Sequence, residues 1–158
     1  MKDEHAKFDE LLGVLDEVMT KGGTMHGGPM NFGTGVPLYR SEIHTIQAIG
    51  SNPGINVTRL AERIDVTKGA VSQTVTKLTG KRLVRKIRAE DNAKETRLVL
   101  TDLGWVGYES HERFHGEMYD TVRDYFGDEF NQKLDTFLTV MRDLNNILAR
   151  YEKRQNRS

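Results

Sequence analysis

Apolar residues follow a helical period along most of this chain, and between Gly80 and Leu100 that period gives way to strand-like segments. From Asn56, a residue suited to cap a helix N-terminus, apolar side chains fall at Val57, Leu60, Ala61 and Ile64, one face of a helix with 3.6 residues per turn. Asp65 and Val66 break the pattern. Thr67 offers a second cap, and Val71, Val75 and Leu78 form a second apolar stripe. Two short helices joined this closely cross steeply and bury one shared core. The segments Leu83–Arg88 and Thr96–Leu100 then read as strands, with residues 89–95 as the loop between them.

The helices outside this stretch are longer. Phe8, Leu11, Leu12, Leu15, Val18 and Met19 predict an amphipathic helix over 5–20, ending at Lys21-Gly22-Gly23. A loop containing Gly27, Gly28, Pro29, Gly33 and Gly35 follows and is expected to be a flexible connector over 21–37. It has neither the Gly-Lys-Ser/Thr ending nor the preceding strand of a phosphate-binding loop. Thr101 caps a helix that runs to about Phe126 and stops at Gly127, with Leu103, Val106, Phe114 and Val122 as its apolar contacts. Phe130, Leu134, Phe137, Met141, Leu144, Leu148 and Tyr151 step by four and three residues, a heptad seam on a helix from about Asp128 to Arg154. The small core cannot cover that seam alone. A second copy of the chain is the simplest cover, and packing on the preceding helix is the alternative.

The outward face of the second short helix carries Lys68, Ser72, Gln73, Thr76 and Lys77, with Thr67 at its start. These hydroxyl, amide and ammonium groups bond base edges in a major groove or the phosphates beside it. In the hairpin, Arg88, Lys94 and Arg97 stand within reach of phosphates or an adjacent minor groove. Overall charge gives no sign of a nucleic-acid partner, since 23 basic residues balance 23 acidic ones. Its distribution does. Residues 58–97 hold 11 basic and 5 acidic residues, a surplus of six, against 12 and 18 elsewhere. A locally basic module suffices for phosphate contact because screening confines attraction to about 10 Å.

The chain of 158 residues has room for one domain with one sizeable core, and it contains no cysteine for a disulfide or thiolate metal site. Neither an apolar signal core after Met1 nor an apolar run near 18 residues is present, so a cytoplasmic protein without membrane contact is expected. The expected fold class is mainly α with a small β wing. A winged helix-turn-helix lobe occupies 38–101 and is flanked by dimerisation helices at 5–20 and 102–154, the whole reading as a single domain over 1–158.

In order and spacing, several segments resemble the MarR family of winged-helix transcriptional regulators. They are Leu38-Tyr39-Arg40-Ser41-Glu42-Ile43-His44-Thr45-Ile46, Leu60-Ala61-Glu62, Val66-Thr67-Lys68-Gly69-Ala70-Val71-Ser72-Gln73, Lys77-Leu78 and Leu100-Thr101-Asp102-Leu103-Gly104. The resemblance runs from about Leu11 to Tyr151. It implies a homodimer clasped by its terminal helices, with two recognition helices entering successive major grooves of double-stranded DNA at a near-palindromic operator. It also implies a regulator, a repressor in the usual case, and not an enzyme. One departure lies at the wing tip, where the family's Asp-x-Arg pattern is replaced by Asn92-Ala93-Lys94, with Asp91 one place early. Lys94 meets phosphate as a point charge but lacks arginine's planar fork.

Five histidines remain to be placed. His111-Glu112-Arg113-Phe114-His115 spells the H-E-x-x-H zinc hydrolase signature, but the chain offers no assured third ligand, open coordination position or substrate cleft to go with it. Imidazoles at i and i+4 can also share a closed regulatory site, since their Cβ atoms stand about 5–6 Å apart. His44 precedes the helix-turn-helix and His26 lies in the connector. This placement resembles the zinc-responsive branch of the MarR family. His44, His111 and His115 fall on three of that branch's primary ligands, and His26 falls near the fourth, usually a glutamate. The branch's second site needs a cysteine that is absent here. Zinc or another divalent transition metal is therefore one effector reading. A small aromatic effector without metal is another, and histidines that merely face solvent or hydrogen-bond Glu109 and Glu112 are a third.

Overall fold

The computed structural model describes residues 2–25, 28–88 and 96–155. Their elements are α1 (Lys2–Met25), α2 (Arg40–Gly50), α3 (Val57–Arg63), α4 (Lys68–Gly80), β1 (Val84–Arg88), β2 (Thr96–Leu100), α5 (Asp102–Phe126), a 3₁₀ turn (Gly127–Glu129) and α6 (Phe130–Gln155). The architecture is mainly helical with one two-stranded antiparallel wing, as expected from the sequence. Contacts divide the chain into two compact units, Met1–Glu112 and Arg113–Ser158.

The core of the first unit lies between α2, α3, α4 and the wing. Ile46, Ile49, Leu60, Val75, Leu78, Leu83 and Leu98 are completely buried there. Strand register pairs Val84 with Leu100 and Arg88 with Thr96, so Val84, Leu98 and Leu100 share the inward face. Ile55 adds a bridge to Leu98, whose amide donates to the Ile55 carbonyl at 2.9 Å. Helix α5 joins this unit through two bare backbone positions. A Cβ on Gly104 would stand 2.1 Å from the Leu83 carbonyl oxygen, and one on Gly50 would stand 2.3 Å from the Tyr108 ring.

Two segments depart from the sequence reading. Helix α1 continues through Gly22 and Gly23 to Met25. A glycine ends a helix where it turns left-handed, and the left-handed glycines among the described residues are Gly33, Gly35, Gly54 and Gly127. The connector, expected to be flexible, is packed over its described part. Met30 and Leu38 exchange backbone hydrogen bonds at 3.0 Å, and Phe32 and Thr34 between them are buried. Gly33 (φ 74°) brings the loop against Val106 and Ser110, and Gly107 of α5 leaves room for the Thr34 methyl. Glycine here permits close approach rather than motion.

The stripe on α1 is open. Phe8, Leu11, Leu12, Val18 and Met19 are 48–75% exposed. In the second unit Phe130 is buried with its ring edge-on to Tyr119 at 5.4 Å, while Phe137, Leu148 and Tyr151 of the heptad seam remain 53–61% exposed.

Candidate nucleic-acid interface

The helix-turn-helix is built from two consecutive caps. The Asn56 carboxamide oxygen accepts from the Arg59 amide at 2.9 Å and starts α3. That helix closes with Asp65 in the left-handed region (φ 52°), where the Val66 amide reaches back to the Ala61 carbonyl at 3.1 Å. Two residues later the Thr67 hydroxyl accepts from the Ala70 amide at 3.3 Å and starts α4. Buried Val71, Val75 and Leu78 hold α4 down. Lys68, Gly69, Ala70, Ser72, Gln73, Thr76 and Lys77 are exposed, so the structure presents the predicted face to solvent.

The far end of α4 is tied more tightly. Arg82 takes a left-handed conformation (φ 60°), letting the Leu83 amide return to the Leu78 carbonyl at 2.9 Å. The Lys81 ammonium donates to both oxygens of Glu42 at 2.7 Å and to the Pro37 carbonyl at 2.8 Å. Glu42, only 3% exposed, also accepts from the Tyr39 amide at 2.9 Å at the start of α2. Thr101 completes the joint. Its hydroxyl donates to the Arg82 carbonyl at 2.7 Å and accepts from the Gly104 amide at 3.0 Å. One end of the outward helix is thus fixed to α2, the wing and α5 by a set of linked polar contacts, part-buried around Glu42 and exposed at the Pro37 and Arg82 carbonyls.

On the wing Arg88 is exposed and Arg97 half-buried, with its Cδ 3.6 Å from where a Gly54 Cβ would stand. Arg85 and Lys86, which the sequence reading did not single out, are also exposed. Strand register, with Arg85 opposite Val99 and Ile87 opposite Arg97, places Arg85 and Arg97 on one face. Lys94, like His26, lies outside the described residues.

The histidines divide. His44 and His111 come together with ring centroids 5.6 Å apart, and the edge of Phe32 packs on His111 at 5.5 Å. His111 is buried, and its Nδ1 lies 3.3 Å from the Gln47 carboxamide oxygen. The Gln47 amide nitrogen donates to Glu112, so the glutamate of the H-E-x-x-H segment binds a side chain of α2. Gln47 was not anticipated, although its position one turn beyond His44 on α2 places it on the same face. His115 lies one turn beyond His111 on α5, in the second unit. Among the described residues no group of three or more His, Cys, Asp or Glu able to hold a metal is formed. Those residues alone therefore do not make up a closed ligand set.

Residues 37–95, which span the end of the connector, α2, the helix-turn-helix and the wing, match the family model described as MarR family. The chain belongs to the MarR family. As a MarR-family protein it is similar to the uncharacterized HTH-type transcriptional regulator YhjH of Bacillus subtilis, 31% identical over 107 residues, covering 68% of this chain and 61% of that protein. The chain spans 57–62% of the length of the curated relatives it matches. Among solved structures it resembles Streptococcus pneumoniae FabT in complex with DNA, with TM-score 0.69 and 22% identity over 92% of this chain and 99% of that one. It also resembles ZitR of Lactococcus lactis, a zinc-responsive MarR family member, with TM-score 0.66 and 21% identity over 85% and 96%. At these identities the structural likeness concerns the fold. No helix of the described residues is long and apolar enough to cross a membrane.

Proposed function

We propose that this MarR-family chain is a homodimeric regulator of transcription, acting as a repressor, that binds duplex DNA through α4 and the wing, and that it is not an enzyme. The observation that carries the reading is the division of α4. One side is sealed into the core by Val71, Val75 and Leu78, and the other offers Lys68, Ser72, Gln73, Thr76 and Lys77 to solvent beside a wing bearing Arg85, Lys86 and Arg88. An outward helix anchored at one end is suited to a major groove, and flanking cations to its phosphate walls. The open stripes of α1 and of α6 each support self-association, because each leaves apolar surface for a second copy to cover. Fluorescence anisotropy with random duplex at 50 and 200 mM salt tests the DNA reading. Affinity should fall at least ten-fold between the two conditions, and binding that is absent or insensitive to salt would refute it.

The facing pair His44 and His111 favours a metal effector of the zinc class over a small aromatic one. Two imidazoles supply half of a tetrahedral set, and His115 and His26 are the sequence candidates for the rest. Zinc content of the purified protein beside its His111→Ala variant decides this. Equal stoichiometry in both would leave the aromatic effector as the reading.

A further inference from the structure

We infer that Gln73 is the residue through which each protomer reads an adenine, in an A·T pair whose neighbouring thymine methyl meets Ala70. The inference rests on the DNA-binding reading above and narrows it to one base contact. Most hydroxyls of α4 are already engaged within the helix. Thr67 accepts from the Ala70 amide, Thr74 donates to the Ala70 carbonyl at 3.1 Å, Thr76 to the Ser72 carbonyl at 2.9 Å and Thr79 to the Val75 carbonyl at 2.8 Å. Lys68 and Lys77 carry donors only, suited to phosphate or to the acceptors of guanine. The Ser72 hydroxyl rotates to suit any base edge.

Gln73 differs from all of these. Its side chain is exposed and makes no hydrogen bond among the described residues. A carboxamide offers one donor and one acceptor side by side, the complement of adenine N7 and N6. Its neighbours on the helix surface leave the approach open. Side chains lean toward the helix N-terminus, so Gln73 extends over Gly69 and Ala70, one with no side chain and the other with a single methyl. A Cβ on Gly69 would meet nothing within 4 Å. Ala70 and Gln73, three positions apart, lie on one ridge, placing a methyl suited to thymine beside an amide suited to adenine.

Selection from a randomised duplex pool with the full chain tests this. Wild-type protein should recover paired half-sites with one invariant A·T pair in each, and replacing that pair by G·C should weaken binding about ten-fold or more. Gln73→Ala should lose discrimination at that pair alone. Gln73→Arg should turn the preference there from adenine to guanine, and 7-deaza-adenine at that position should weaken wild-type binding but not the Gln73→Ala variant. Unchanged base preference in both variants, with salt-dependent binding intact, would overturn the Gln73 assignment and leave DNA binding standing. If wild-type protein recovers no duplex at any salt concentration, the DNA-binding reading falls and takes this inference with it.

Discussion

The contact between Lys81 and Glu42 makes a quantitative prediction about what fixes the outward helix. Its geometry is complete, with two carboxylate oxygens at 2.7 Å and the Pro37 carbonyl at 2.8 Å using the three ammonium protons. Side-chain exposure is 25% for Lys81 and 3% for Glu42. Removing one partner of a buried pair strands the other, typically at 3–5 kcal/mol, but a quarter-exposed ammonium lets water soften the loss. Lys81→Met, which leaves the carboxylate with the Tyr39 amide as its remaining bond among those described here, should therefore cost about 3 kcal/mol. Glu42→Gln keeps an acceptor for both Tyr39 and Lys81 and should cost about 1–2 kcal/mol, the difference between a charged and a neutral hydrogen bond. In the double variant no charge is left without its partner and the methionine packs beside a neutral glutamine, so the losses should fall short of their sum by about 1.5 kcal/mol. Urea unfolding of the four proteins at one protomer concentration measures the cycle. Additivity within about 0.5 kcal/mol would show that the two groups do not act on each other and would refute the role given to the clasp.

Three further outcomes follow from the same region. Thr101→Val should lose the cap of α5 and the bond to Arg82, about 2 kcal/mol in all, whereas Thr101→Ser should recover most of it; equal thermal midpoints for the two variants would contradict the joint. Gly104→Ala forces a methyl to within 2.1 Å of a backbone oxygen and should lower the thermal midpoint by several degrees, so an unchanged midpoint would mean that α5 and β1 do not approach as closely as described. Arg82→Gly relieves a left-handed non-glycine residue and should stabilise the fold by up to about 1 kcal/mol in urea, a destabilised variant being the contrary result.

How much of this was legible beforehand follows from the range of each signal. Helix starts at Asn56, Thr67 and Thr101 were readable because a cap is a bond between a side chain and an amide three residues on. The exposed face of α4 was readable because an apolar stripe on one side fixes what lies on the other. The ends of α3 and α4 carried no side-chain cap, only the break in the apolar pattern at Asp65 and Val66 and the change of period after Gly80. Both helices close through left-handed residues that are not glycine, Asp65 and Arg82, and their handedness is set by the backward bonds of the Val66 and Leu83 amides, which no local residue preference announces. The connector misled for the opposite reason. Its glycines signal freedom when read locally, yet Gly33 and Gly107 are glycine because Phe32 and Thr34 must lie close against α5, a constraint set by residues more than 70 positions away. The histidines sit between these cases. Helical spacing set His111 and His115 one turn apart, but the pairing of His111 with His44 and Gln47 depends on how α2 meets α5, and Gly50 opposite Tyr108 is what allows those helices to close. A bulky residue at position 50 would separate the imidazoles without touching either. Backbone approach at Gly50, more than the H-E-x-x-H spelling, therefore decides whether that cluster comes together.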